Sequence, residues 1–327
     1  MKYDGTHSVT LPQEHVLERR FHLVTGKGGV GKSTVSMTLG LAFAQRGLRT
    51  LICEIDHREM MTRAFRVPPS RGAVRHLNEH LAVVSIDTQS ALSEYGALKL
   101  KVKALSSLLT ENPITRALVS IVPGVADLIA LGKAFNHERE RDQQGYIWDR
   151  VIVDAPSTGH GLTFVRLPQV IRDVVPSGNM RREADEMWSL LSDQTRAAIH
   201  VVTTPEDLPT QEALELWRAL THDVGLSPQA LWINMSEALP FTDQEWTALL
   251  SIKKERGSHL NETASGRAMT YLERRQHGIQ SQRQHLDRLA QIKTSRAMIS
   301  RFTSDHPHVL CEAIADQLTN HPDKEVR

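Results

Sequence analysis

Gly26-Lys27-Gly28-Gly29-Val30-Gly31-Lys32-Ser33-Thr34 sets a lysine and a hydroxyl directly behind a glycine-rich run. This is the G-x-x-x-x-G-K-[ST] spacing of a phosphate-binding loop. Glycines let successive backbone N–H groups turn inward around an anion, and a following helix adds the positive end of its dipole. In such a loop Lys32 reaches the β and γ oxygens of a nucleoside triphosphate, and the Ser33 hydroxyl is a ligand for Mg²⁺. Lys27 is a second, early lysine. One lysine suffices for one triphosphate, so the second must meet charge elsewhere.

Two acids extend the chemistry. Asp56 closes the apolar run RTLICEID (49–56), and a carboxylate at the carboxyl end of a strand faces a nucleotide crevice, where it can orient water. Asp154 closes VIVD ahead of APSTGHG, which matches an acid that holds Mg²⁺ beside a glycine-containing turn that senses the γ-phosphate.

These side chains need a frame of strands and helices. FHLVTG (21–26) is a strand-length apolar run, followed by helical spacing from Ser33 to Arg46 with Val35, Leu39, Ala42 and Phe43 on one stripe and Gly47 as a stop. RTLICEID, LAVVSID (81–87), DRVIVDAP (149–156), AAIHVVTTP (197–205) and ALWINM (230–235) are further runs without period-2 alternation, as in strands covered on both faces. Strands separated by helices predict right-handed crossovers and a mostly parallel sheet flanked by helices, an α/β fold of the P-loop NTPase type. Residues 90–140 and 167–196 exceed simple crossovers and read as helical inserts. Residues 242–296 read as charged surface helices. The expected organisation is an arm at 1–20, one domain at 21–320 and a loose tail at 321–327.

Composition narrows the class. The chain has 327 residues, 40% apolar and 24% charged, with 39 Lys+Arg against 38 Asp+Glu and a net charge of +1. That is an ordinary globular mixture, and no global field draws it to nucleic acid or anionic lipid. Two cysteines, Cys53 and Cys311, cannot build a disulfide framework, and the N-terminus carries no apolar leader, so a cytoplasmic protein is expected. The apolar stretch 118–131 is broken by Pro123-Gly124 and Asp127, which argues against stable membrane insertion. The tight His306-Pro307-His308…Cys311 group reads as a turn entering the last helix rather than a metal site.

With these pieces in register, KGGVGKST resembles the deviant Walker A signature of the ParA/MinD/ArsA class of P-loop ATPases. DAPSTGHG (154–161), PGVADLIALGKAF (123–135), VTTPEDLPTQEALEL (202–216) and WINM (232–235) resemble segments of its ArsA-type branch, which holds the arsenical-pump ATPase and the tail-anchored-protein targeting ATPases. The resemblance implies an ATPase with ATP and Mg²⁺ as cofactors. It implies that Lys27 touches a partner's nucleotide across a dimer, that Asp56 is the switch I catalytic base, that Gly159 lies in switch II, and that Asn234 pairs with adenine. It further implies a homodimer or a heterodimer with a paralogue, and an unknown protein client, a membrane protein among the candidates, loaded or released by the nucleotide-driven switch. Membrane-protein targeting or an ArsA-like transport-associated role without a metalloid site is the best guess.

This sequence departs from the branch in three ways. Asp56 is followed by His57-Arg58-Glu59 where Asp-Pro-Ala-His is common, and there is no CxxC for a zinc clamp. Clustered thiolates for a metalloid are also missing. Two other readings share the loop: a ParA/MinD-like positioning ATPase, which would need a basic patch or an amphipathic anchor, and an ATP-binding regulatory subunit of a heteromeric pair. No nucleic-acid partner is expected.

Overall fold

The computed structural model describes residues 9–10, 12–55, 59–87, 125–156, 161–237, 242–256, 263–301 and 307–320. Asp56, His57, Arg58, Gly159, His160 and the insert segment from 90 to 124 lie outside the described residues.

The centre is a nine-stranded sheet. In chain order its strands are β1 (Val9–Thr10), β2 (Phe21–Gly26), β3 (Thr50–Glu54), β4 (Arg75–His76), β5 (Leu81–Ser85), β8 (Arg150–Asp154), β9 (Ala197–Thr203), β10 (Ala230–Ser236) and β11 (Ser295–Ser300). A small hairpin, β6 (Arg141–Asp142) and β7 (Gly145–Tyr146), stands apart. The spatial order is β1-β11-β10-β9-β2-β8-β3-β5-β4. The seven inner strands run parallel, and β1 and β4 close the two edges antiparallel. All six apolar runs are strands, because a parallel strand covered on both faces must be apolar at every position.

Period 2 sorts the side chains. Odd positions such as Leu23, Cys53, Val153, Val201 and Ile233 enter one apolar cluster with Phe135, Phe164 and Met187. These three come from α4 (Val125–Arg139), α5 (Gly161–Val174) and α6 (Asn179–Ser192). Thus the helices within 161–192 share a core with the sheet. Even positions such as Val24, Ile52, Ile152, Val202 and Trp232 enter the other cluster. There they meet α2 (Lys32–Gln45), backed by α10 (Pro307–Asn320). Val35, Leu39 and Phe43 of α2 are at most 1% exposed. Each contributes about 1.5–3 kcal/mol by burial, which fixes the helix that follows the phosphate loop.

One polar chain crosses the second face. Trp232 Nε1–H donates to His200 Nδ1 at 3.0 Å, His200 Nε2 lies 3.0 Å from His22 Nδ1, and His22 Nε2 is 2.7 Å from the Arg19 carbonyl. Indole is only a donor, so the hydrogen-bond directions and both neutral tautomers follow from that end. The chain ties β10, β9 and β2 together beneath the loop.

Two stretches differ from the sequence-level picture. Ser295–Ser300 is an inner parallel strand, unread in the sequence because only its inward positions are strongly apolar among Ser, Arg and Ser. Within the arm, Val9–Thr10 pairs with β11, and Val16 and Leu17 of α1 (Glu14–Leu17) are buried in the second cluster. Residues 242–296 carry α8 (Asp243–Arg256) and α9 (Ala264–Leu289).

Candidate nucleotide site

The loop between β2 and α2 sits at the carboxyl end of the sheet, over the inner strands. Two of its glycines are required by geometry. Gly26 has φ 147°, and a Cβ there would stand 2.3 Å from the Val202 carbonyl oxygen of β9. Gly31, the residue preceding α2, has φ 94°, and a Cβ would stand 2.1 Å from Asn234 Nδ2. Both values lie where only glycine rests without strain. Gly28, Gly29 and Val30 complete the turn, and Val30 is buried at its base.

Lys32 is 5% exposed, and its ammonium donates to the Lys27 carbonyl at 3.0 Å, so it lies folded back along the loop. Ser33 Oγ donates to Asp154 Oδ2 at 2.5 Å, and Ser36 Oγ donates to Asp154 Oδ1 at 3.2 Å. Thr34 accepts at its carbonyl from Cys311 Sγ at 3.7 Å, which joins α10 to the start of α2. Asp154 ends β8 beside β2 on the even-position face, which is why its carboxylate reaches the helix. Ser36 is a neighbour that the motif spacing did not flag.

Asn234, also at an even position, is 4% exposed and donates from Nδ2 to the Val30 carbonyl at 3.0 Å. It therefore braces the loop from β10. Met235 beside it has φ 57° at a bulge where the β10–β11 register shifts. Next to this strand end is a cleft of about 470 Å³ between Pro205, Met235, Tyr271, Arg275, Gln282 and Arg301.

Lys27 does not project free from the loop. Its Nζ donates to Glu212 Oε1 at 2.6 Å, on α7 (Asp207–Arg218). No local sequence signal marks Glu212 as its partner.

Glu54 is the other residue that sequence reading passed over, although an acid inside the apolar run LICEID was the available clue. It is 2% exposed and stands in register with Asp154 on the neighbouring strand. Burial is the main force that pushes its carboxyl up to about 7; the charges of Asp154 and Glu59 add to the rise, and the N–H groups of Met60 and Met61 oppose it. Both thiols are buried: burial pushes Cys311 up to about 12 and raises Cys53 further. Among the described residues no group of three His, Cys, Asp or Glu side chains is placed to hold a metal ion, and no helix is long and apolar enough to cross a membrane.

A parallel sheet with a glycine loop between its central strand and a buried helix, and an acid on the next strand bonded to the loop's hydroxyl, defines a P-loop nucleotide-binding domain. The chain belongs to the ArsA-type family, whose sequence profile, described as anion-transporting ATPase, matches residues 19–187. It is similar to the ATPase BagA of Mycobacterium tuberculosis, 32% identical over 203 residues, covering 60% of this chain and 59% of that one. It is also similar to the ATPase ARSA1 of Chlamydomonas reinhardtii, 23% identical over 299 residues, covering 75% and 38%. A third relative is the ATPase GET3 of Lachancea thermotolerans, 28% identical over 160 residues, covering 46% of each chain. The chain thus spans less than two thirds of the length of these relatives.

Proposed function

We propose that this protein hydrolyses Mg·ATP to ADP and phosphate and uses the cycle to switch a dimer that loads or releases a protein client. The observation that carries the reading is the convergence of Lys32, Ser33 and Asp154 on one glycine-shaped loop.

The donor set fits Mg²⁺. A hydroxyl and a carboxylate lie side by side at a helix N-terminus, and hard oxygen donors are what that cation takes. Ser33 would hold it directly and Asp154 through water. When bound, the ion neutralises charge on the β and γ oxygens. This chain's own groups do the rest. The loop N–H groups and Lys32 hold the phosphates, Asn234 meets the adenine edge beside the cleft, and Gly159 belongs to the turn that follows the γ-phosphate. Asp56 orients the attacking water and accepts its proton as the bond from the β–γ bridging oxygen breaks. Lys27 supplies positive charge to a partner's nucleotide, in a homodimer or a heterodimer with a paralogue. The client is a membrane protein, and the site of action is the cytoplasm.

The test is steady-state ATP hydrolysis together with nucleotide-dependent thermal shift. Asp56→Asn should keep the Mg·ATP shift and lose turnover, while Lys32→Ala should lose both. A wild-type protein that shows neither shift nor turnover overturns the reading. ATP-loaded Asp56→Asn should then enrich single-span membrane proteins from extract; recovery of only a paralogous ATPase would remove the targeting part.

A further inference from the structure

Two carboxylates, Glu54 and Glu59, stand on either side of residues 56–58. Glu54, the last residue of β3, accepts at Oε1 from the Met60 N–H at 2.8 Å. That bond closes the chain across the segment, from the strand before it to α3 (Met60–Ala64) after it. Glu59, after the segment, ties the start of α3 to the turn at 70–71 instead. Its Oε1 accepts from Arg71 N–H at 2.7 Å, and its Oε2 accepts from Ser70 N–H and from Thr62 Oγ1, each at 2.9 Å. Ser70 is itself fixed: its Oγ accepts from the Ser85 N–H of β5 at 2.9 Å and donates to the Ala73 carbonyl at 2.8 Å. A continuous series of bonds therefore runs from β3 through α3 and the 70–73 turn back into the sheet.

Both residues sit at a cost to stability. Glu59 has φ 46°, a left-handed conformation unfavourable for a side chain of this size. Glu54 is a buried acid whose Oε2 has no hydrogen-bond partner among the described residues, and it stands in register with the acid Asp154. If the need were only to cap a five-residue helix, an adjacent Ser, Asn or Asp would serve without burying a second carboxylate here. Costs of this kind persist where a local geometry is used.

We infer that Glu54 and Glu59 are positioning residues, which fix the segment carrying Asp56 against the frame that holds Asp154 and the phosphate loop. The inference rests on the proposed role of Asp56 as the group that orients water. Neither carboxylate touches the reacting atoms in this scheme. They act on the described residues before and after Asp56: Glu54 ties β3 to Met60, and Glu59 ties the start of α3 to Ser70 and Arg71.

The variants are Glu54→Ala, Glu54→Gln and Glu59→Ala in the full chain. The readings are kcat and KM for ATP, melting temperature, and hydrogen exchange of the peptide spanning 55–61. Displacing a reacting group by about 1 Å costs on the order of 100-fold, so both alanine variants should lose roughly 10- to 100-fold in kcat. KM should stay within about threefold, because the phosphate loop is intact. Glu54→Gln keeps an acceptor for the Met60 N–H and should restore most of the rate. Exchange of 55–61 should rise in both alanine variants and not in Glu54→Gln. Wild-type kcat in both alanine variants overturns the inference, and so does a rate loss that follows melting temperature with no local change in exchange. If the wild-type protein hydrolyses no ATP, the proposed function fails by itself. The exchange measurement then decides alone: faster local exchange in the alanine variants supports the positioning role, and unchanged exchange removes it.

Discussion

Lys27 and Glu212 form an ion pair within one chain, Nζ to Oε1 at 2.6 Å, between the phosphate loop and α7. Both side chains are partly exposed, at 30% and 38%. A pair with that much water contact contributes about 0–1 kcal/mol to stability. The family resemblance assigns the same lysine to a partner's nucleotide, and it cannot occupy both places. In the dimer proposed above, Glu212 is therefore the competitor that has to be displaced.

That competition sets the first prediction. Glu212→Gln removes the competing charge and should raise turnover at subsaturating protein concentration, by about fivefold at most, since ~1 kcal/mol is about a factor of five. Melting temperature should barely move. Lys27→Ala should abolish turnover, because a charge supplied in trans to the transition state carries 10³–10⁵-fold by rough analogy with arginine fingers. ATPase rate measured against protein concentration checks both. Equal rates for Glu212→Gln and wild type at every concentration would show that the pair has no bearing on catalysis.

The loop glycines make a second, graded prediction. Gly26→Ala places a methyl 2.3 Å from the Val202 carbonyl, a backbone atom in the middle of the sheet that cannot yield. Gly29→Ala meets nothing within 4 Å and carries only the strain of φ 87°. The first should cost several kcal/mol by combined clash and strain, and the second about 1 kcal/mol. Chemical denaturation of the two variants tests the ranking, and Gly29→Ala being the less stable of the two would contradict it.

Much of this arrangement was legible in the sequence. The loop and Asp154 are local patterns, and the six apolar runs follow from strands buried on both faces. What escaped had physical reasons. Ser295–Ser300 joins the sheet as an inner strand, yet apolar side chains at only some of its positions leave no run to read. Glu212 lies far along the chain from Lys27, and no pattern reports such a contact. Glu54 was visible as an acid among Leu, Ile and Cys, but an isolated acid does not reveal that its partners are the N–H groups of a short helix beyond Asp56. The Asp-His-Arg-Glu sequence, where the branch often has Asp-Pro-Ala-His, gains a structural meaning only once Glu59 is seen holding Ser70 and Arg71.

A third prediction concerns metalloids. Trivalent arsenic is a soft centre that binds as thiolate complexes, which need exposed, ionisable cysteines close together. Cys53 and Cys311 belong to opposite core clusters, and burial holds both protonated. Arsenite should leave ATP turnover and melting temperature unchanged, and thiol reagents should label neither cysteine until the protein unfolds. Stimulation of turnover by arsenite would place a thiolate site where none is described.

The buried imidazoles give the last prediction, in pH. Burial alone pushes His200 down to about 3, and burial chiefly, with His200 and Arg150 nearby, pushes His22 well below its ordinary value. Both are neutral in the folded chain because the Trp232 N–H must be accepted at His200 Nδ1, which leaves the Nε2 proton to donate to His22. In the unfolded chain both titrate near ~6.5. Below that pH the unfolded chain binds protons that the folded chain refuses, so stability must fall as pH falls. The slope approaches about 1.4 kcal/mol per pH unit for each imidazole below pH ~6.5. Glu54, whose carboxyl is pushed up to about 7, opposes it by about the slope of one imidazole, which leaves a net fall. Urea denaturation should therefore show a lower midpoint at pH 5.5 than at 7.5. Proton NMR should show two imidazoles that do not titrate over that interval, one of them lost in His22→Gln. If every histidine titrated near its ordinary value, the neutral Trp232–His200–His22 chain would not exist in solution, and the tie between β10 and the phosphate-loop strand would have to be sought elsewhere.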